Sequence, residues 1–247
     1  MTTTFDGPFT NWKNTSNKCE GYQCEEILAK VLKTSLEVQK GVFAYERDSI
    51  GFTERSYNWP LLANLLCEAL RNKGKLSVLD FGGALGSSYF QHLPMLSDCN
   101  LSWHIVEQKH FVEAGKKYFE SKSLHFHDSI EECISRIKID CILLSSVMQY
   151  LDSPSLIIDK ILSIDAEKIF VDKTITNDSG KNRIYIQKVS PAIYSASYPC
   201  RSFSEKWLIG SFLDHYNIKT KFNSLPFEEL KFIDSNFRGY IFQKRYD

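Results

Sequence analysis

The run Val78-Leu79-Asp80-Phe81-Gly82-Gly83-Ala84-Leu85-Gly86-Ser87-Ser88 has the residue types of a cradle for a nucleotide-type ligand. An apolar stretch ends in an acid, and a glycine-rich turn then opens a predicted helix. Backbone stripped of side chains at a strand-to-helix turn admits a ligand closely and presents free N–H groups at the helix start. The dinucleotide spacing Gly-x-Gly-x-x-Gly is not met, because counting from Gly82 puts Ala84 and Ser87 at the second and third glycine positions. Acid-x-Gly-x-small-x-Gly fits instead, as Asp80, Gly82, Ala84 and Gly86, with Gly83 inside the turn.

Further candidates stand where other strands should end, and in an open parallel sheet ligands bind beyond those carboxyl ends. Glu107 follows the apolar Ile105-Val106 about twenty residues after Gly86, the place for a carboxylate that grips a ribose diol, and Gln108 is next to it. A solvated surface glutamate is the plain alternative. Asp128 follows His125-Phe126-His127 and is placed to accept from an adenine amino group, with Ser129 beside it. An ordinary helix N-cap explains Asp128 equally well. Ser145 and Ser146 end the apolar stretch 140–145 ahead of Val147-Met148-Gln149-Tyr150. His125 and His127 alternate onto one strand face and invite a metal reading. No third ligand stands at a matching place, so no metal is expected.

Groups that could take a proton from a second ligand are Tyr150, Asp172, Lys173 and His215. Tyrosine is a poor base untuned, with a pKa near 10. A pocket for a polar ligand is expected from Tyr45 and Arg47 in Tyr45-Glu46-Arg47-Asp48, from Gln149, and from Tyr194 and Tyr198 in the tyrosine-rich stretch 185–201. Packed surface loops would account for the same stretches.

Positioning these residues requires an alternating chain. Residues 2–22 look irregular; apolar positions at helical spacing predict helices over 25–39 and from Pro60 to about Gly74. Strands are predicted at 76–81, 102–106, 124–127, 140–145 and 168–172, with helices at 87–96, 111–120, 130–137 and 155–164 between them. Apolar strands alternating with helices imply a doubly wound, mostly parallel α/β sheet. Residues 174–201 hold no clear element; Ser202-Phe203-Ser204-Glu205 reads as a capping box for a helix to about Tyr216, and strands near 218–224 and 238–244 close the chain. The expected division is a helical N-terminal extension over 1–74 packed on a core domain over 75–247, with a lid at about 174–201.

Composition narrows the class. The 247 residues carry 30 basic and 30 acidic side chains, so no overall field attracts nucleic acid. The first residues lack an apolar signal segment, and no stretch is long and apolar enough to span a membrane. The seven scattered cysteines form no Cys-x-x-Cys pair and read as reduced thiols, with Cys67 and Cys141 in apolar patterns expected in the core. A cytoplasmic protein of undetermined oligomeric state is expected.

The glycine turn resembles the first motif of class I S-adenosylmethionine-dependent methyltransferases, with alanine for the central glycine. The chain as a whole resembles a bacterial family of methyltransferases associated with surface-polysaccharide gene clusters. That resemblance runs through Phe5-Asp6-Gly7, Trp12, Tyr45–Asp48, Leu79–Tyr89, Trp103–Gln108, Leu144–Leu151 and Ala196–Cys200. It implies the class I fold, S-adenosylmethionine as cofactor, and methyl transfer to a small polar acceptor such as a sugar hydroxyl or nucleotide-sugar, by O-methylation. It also implies that the turn meets the cofactor's methionine end, while Ser145 and Ser146 pass its reactive sulfonium. Family members carry histidine near Gln149 or Tyr150, and this chain does not. An NAD-dependent oxidoreductase, for which Glu107 would also suit a ribose, and a non-catalytic cofactor-binding protein are the competing readings.

Overall fold

The two-sided apolar stretches become strands and the amphipathic ones helices in the computed structural model, which describes residues 3–19, 25–135, 137–190, 193, 196–224, 229–230 and 234–246. In chain order the elements begin with β1 (Thr4–Phe9), α1 (Trp12–Ser16), α2 (Glu25–Gln39), β2 (Tyr45–Arg47), β3 (Ile50–Phe52), α3 (Trp59–Arg71) and β4 (Lys75–Phe81). They continue with α4 (Ser87–Leu96), β5 (Asn100–Val106), α5 (Lys109–Tyr118), β6 (Leu124–His127), α6 (Ile130–Ile134) and β7 (Cys141–Ser145). After a single helical turn at Met148–Tyr150 come α7 (Pro154–Ser163), β8 (Lys168–Asn177), β9 (Arg183–Lys188) and β10 (Ser197–Ser204). The chain ends with α8 (Glu205–Gly210), β11 (Tyr216–Asn223), β12 (Glu229–Leu230) and β13 (Ser235–Lys244).

The chain divides into two compact units, one of residues 28–145 and 164–170, the other of residues 1–27, 146–163 and 171–247. Residues 28–74 thus share a unit with β4 to β7 rather than separating from them at residue 74. In this first unit β4 pairs in parallel with β5 and with β7, and β5 with β6. The chain steps outward from β4 to β5 and β6, then reverses to β7 on the other side of β4. That reversal makes the β4–β7 seam a topological switch point, where such sheets bind ligands. Val78, Leu79, Ile142, Leu143 and Leu144 are fully buried, as strands covered on both faces require. Helix α3 buries Leu61, Leu62, Leu65 and Ala69, and Asn58 caps it by accepting the Leu61 N–H at 3.2 Å. Lys168 and Glu68 form an ion pair whose side chains are 1 % and 3 % exposed. Cys141 is buried as expected, but Cys67 is exposed, lying off the buried stripe of α3.

In the other unit β9 pairs antiparallel with β1 and with β10, and β10 runs parallel to the end of β8 at Phe203–Thr176 and Ser204–Asn177. The expected antiparallel ending is present, β13 pairing antiparallel with β11. Three sequence expectations are corrected. The N-terminal extension is not purely helical, since β1 joins a sheet and β2 and β3 form a hairpin. Residues 174–201 are largely strand, because β8 runs on to Asn177 and β9 and β10 follow. Pro199 masks β10 in the sequence, as proline reads as a strand breaker, yet it sits opposite Ile186. Helix α8 ends at Gly210; Ser204 caps it through the Trp207 N–H at 3.4 Å, while Glu205 turns to Arg238 and Tyr240 instead of closing a capping box. Among the described residues no helix is long and apolar enough to cross a membrane.

Candidate functional site

Strand β4 delivers the glycine turn to the switch point. The Gly82 N–H donates to the Val106 carbonyl at 2.9 Å, and the Gly86 N–H closes the turn on the Gly83 carbonyl at 3.0 Å. Gly82 and Gly86 hold left-handed backbone, with φ of 77° and 102°. Gly86 is the N-cap of α4 and offers no capping side chain, so the first N–H groups of that helix face outward uncapped. Asp80 does not lie on the open side of the turn. It is 1 % exposed, and its Oδ2 accepts the Trp103 indole N–H at 3.0 Å. A Cβ added to Gly83 would stand 2.7 Å from the same carboxylate. Asp80 therefore supports the turn from beneath.

Strand β5 delivers Glu107. Its carboxylate accepts the N–H of Gln108 at 2.5 Å and faces the backbone N–H of Ala84 within the glycine turn. Burial raises its pKa, and those backbone N–H groups act against the rise. The acid and the turn, separate in sequence, thus form one constellation, which a free surface glutamate would not. Gln108 is exposed at the N-cap position of α5. After β6, Ser129 and not Asp128 is the N-cap of α6, accepting the Glu132 N–H at 3.1 Å. The Asp128 N–H donates to the Glu132 carboxylate at 2.8 Å, and Asp128 itself is exposed. Ser145 ends β7 half-buried.

The β2–β3 hairpin belongs to the same unit but arranges its residues differently from expectation. Tyr45 is buried and stacks on Phe52 with ring centroids 4.8 Å apart, and Arg47 lies over the same ring at 5.4 Å. Glu46, which sequence reasoning did not select, is the buried group there. It accepts the Ser87 hydroxyl at the start of α4 and the Ser49 N–H at 3.1 Å.

The other unit gathers a second polar cluster. Ser146, with φ of 57°, donates its N–H to the Asp172 carbonyl at 2.9 Å. Asp172 is 2 % exposed, and its Oδ1 accepts the Ser224 hydroxyl at 2.7 Å; Ser224 in turn accepts the Lys173 N–H at 3.1 Å. Gln149, expected to line a pocket, is fully buried, its amide donating to the Lys173 carbonyl at 3.1 Å. The Tyr150 hydroxyl donates to Gln187 Oε1 at 3.0 Å, and its ring meets the edge of Tyr198 at 5.0 Å. His215 is not brought to this cluster. It is exposed and precedes β11, whereas Ser224 follows that strand, so eight residues of strand, roughly 26 Å, separate them. Tyr194 lies outside the described residues. Ser224 carries no signal in the sequence, being a serine in a polar loop, and Gln187 enters there only as a member of the tyrosine-rich stretch 185–201.

These geometries define an α/β fold of the class I methyltransferase type, and comparison with solved structures agrees. The N-terminal domain of EvdMO1 with SAH bound is similar with a TM-score of 0.52 and 11% identity, over 88% of this chain and 97% of that one. A SAM-dependent methyltransferase from Methanosarcina mazei is similar with a TM-score of 0.50 and 12% identity, over 78% of this chain and all of that one (100%). A pericyclic reaction enzyme gives a TM-score of 0.53 and 10% identity, over 78% of this chain and 50% of that one. At such identities the likeness establishes the fold, and the last example shows that the fold serves more than one reaction. No protein-family model matches the sequence, and no curated protein matches it.

Proposed function

We propose that this chain is an S-adenosylmethionine-dependent methyltransferase acting on a small polar acceptor. The observation that carries the reading is the Glu107 carboxylate set against the glycine turn at the β4–β7 switch point, where the Ala84 backbone N–H acts against the rise of its pKa. It joins a sugar-gripping acid to a turn built for close backbone approach. The residues fit the cofactor: the N–H groups of Gly83 and Leu85 in the turn for its carboxylate, Glu107 and Gln108 for its ribose, and Asp128 with Ser129 for its adenine. S-adenosylmethionine, when bound, supplies an electrophilic methyl group, so the protein's tasks are alignment and exclusion of water.

An acceptor hydroxyl must also lose a proton. For that we assign Asp172 ahead of Tyr150, whose own proton is committed to Gln187. A sugar hydroxyl or nucleotide-sugar in surface-polysaccharide biosynthesis is the acceptor class favoured by the resemblance read in the sequence, and O-methylation follows from it. Titration calorimetry against S-adenosylhomocysteine and NAD tests the reading. Tighter binding of the former is expected, and tighter binding of NAD overturns it. Cofactor binding without methylation across a panel of sugars and nucleotide-sugars would instead favour a non-catalytic binding protein.

A further inference from the structure

Strands β5 and β6 and the short helix α6 bring His104, His127 and Cys133 together, with their ligand atoms all within 4.8 Å of one another. The sequence pairs His127 with His125, two residues away, and shows no third ligand. Folding supplies different partners. His104 Nδ1 lies 3.0 Å from His127 Nε2, while His125 stacks on the His104 ring at 4.9 Å and turns its own Nδ1 to Glu120 at 3.1 Å.

We infer that His104, His127 and Cys133 form a binding site for a thiophilic divalent cation of the zinc type. Tetrahedral zinc with nitrogen ligands at about 2.0–2.1 Å separates two such nitrogens by roughly 3.3 Å, close to the observed 3.0 Å. With sulfur at about 2.3 Å, a nitrogen–sulfur separation of roughly 3.6 Å is needed, so the thiol must approach by about 1 Å at most. The outward nitrogen of His104 is already engaged and that of His127 has a carboxylate within reach, as in metal sites whose outer partners fix each imidazole. His104 Nε2 meets the Ser102 hydroxyl at 2.7 Å, and His127 Nδ1 faces the Glu132 carboxylate at 4.0 Å. Both inward nitrogens are thereby aimed at one point.

Without a metal those nitrogens share a single proton, and the buried thiol keeps its own. Burial also keeps the imidazoles neutral, the form that ligates; the His104 pKa is pushed down to about 3, first by burial and then by the neighbouring histidines. Binding releases the thiol proton to solvent, shifts the shared proton to the outward nitrogen of the imidazole that carried it, and leaves a thiolate on the metal. Such a site ties β5, β6 and α6 together just before Glu107 and Asp128, and it stands independently of the methyltransferase reading.

The test loads the full-length protein with Zn(II), and separately with Co(II), after chelator treatment and dialysis. One equivalent is expected, together with a thiolate-to-Co(II) charge-transfer band that is lost in Cys133→Ser and His127→Gln but kept in His125→Gln. A bound fraction far below one equivalent, or a band that survives both ligand substitutions, overturns the assignment. X-ray absorption of the Zn(II)-loaded wild type decides the matter if the variants do not fold. One sulfur and two imidazoles in the first shell are expected, and a shell without sulfur overturns the site.

Discussion

The Asp80 carboxylate lies directly beneath Gly83, so close that a Cβ at Gly83 would stand 2.7 Å from it. Glycine is needed here for space rather than for backbone freedom. Gly83→Ala must displace a buried carboxylate that also holds the Trp103 indole, so overpacking should cost about 1–3 kcal/mol. Chemical denaturation would measure it. Asp80→Ala should make the added methyl group nearly harmless, giving a clear interaction term in a double-mutant cycle. Strict additivity would show that the turn does not rest on Asp80.

Ala84 occupies left-handed backbone with φ of 50°. An L-residue other than glycine is disfavoured there, so Ala84→Gly should stabilise the fold by about 1 kcal/mol despite the added freedom of the unfolded chain. Its methyl group should narrow the ligand's approach slightly. Affinity for S-adenosylhomocysteine should therefore hold or improve in the glycine variant. A loss of stability on thermal unfolding would contradict the strain.

Glu107 is the sharpest test of the cofactor reading. Glu107→Ala should weaken S-adenosylhomocysteine binding by roughly 1.5–3 kcal/mol, the range for hydrogen bonds to a charged group. Burial raises its pKa above the ordinary glutamate value of 4.5, so it protonates earlier than an exposed glutamate as pH falls. In the proposed role it is the ionised form that accepts both ribose hydroxyls. Affinity should therefore decline on acidification from above that value and recover as pH rises, and Glu107→Gln should flatten the profile. An unchanged affinity in the alanine variant, measured calorimetrically, would remove Glu107 from the site.

The parallel sheet was legible because Leu76–Phe81, Ser102–Val106 and Asp140–Ser145 are apolar on both faces, and such runs admit few alternatives. The turn and Glu107 were legible because their chemistry depends on spacing along the chain. What escaped depends on tertiary pairing. Strand β10 contains Pro199, and β9 lies between β1 and β10, so neither announces itself without its partners. Gln149 was expected to line a pocket for a polar ligand, yet it is a buried amide, tolerable because the Lys173 carbonyl receives it, and that carbonyl lies beyond α7 in the chain. Glu46 was passed over because a glutamate in a polar tetrapeptide looks solvated until Ser87 meets it. His104 was hidden the same way, being an ordinary strand residue until β6 brought His127 beside it.

Among the candidates for handling an acceptor proton, geometry separates Asp172 from His215. If a methyl acceptor is found, Asp172→Asn should lower kcat by about 100- to 10,000-fold, the range by which positioned acids and bases contribute. His215→Ala should leave kcat and KM unchanged, since the exposed His215 sits at the far end of β11 from Ser224. Tyr150→Phe loses one hydrogen bond to Gln187 and should cost about 0.5–1.5 kcal/mol of stability. A large loss of kcat in His215→Ala with Asp172→Asn intact would reverse the assignment.

The buried pair Lys168–Glu68 offers a test of the fold that is independent of any ligand. With their side chains 1 % and 3 % exposed, neither charge has water to fall back on. Lys168→Met leaves Glu68 buried with only the more distant Arg71 guanidinium, 3.7 Å away and mostly exposed, to answer it. Removing one partner of such a pair typically costs about 3–5 kcal/mol, whereas replacing both with apolar residues of similar volume is often neutral or stabilising. Lys168→Met should therefore lower the denaturation midpoint sharply, and Glu68→Leu combined with Lys168→Met should recover most of it. If the double variant were as unstable as the single, the pair would be holding β8 to α3 by its geometry rather than merely satisfying two buried charges.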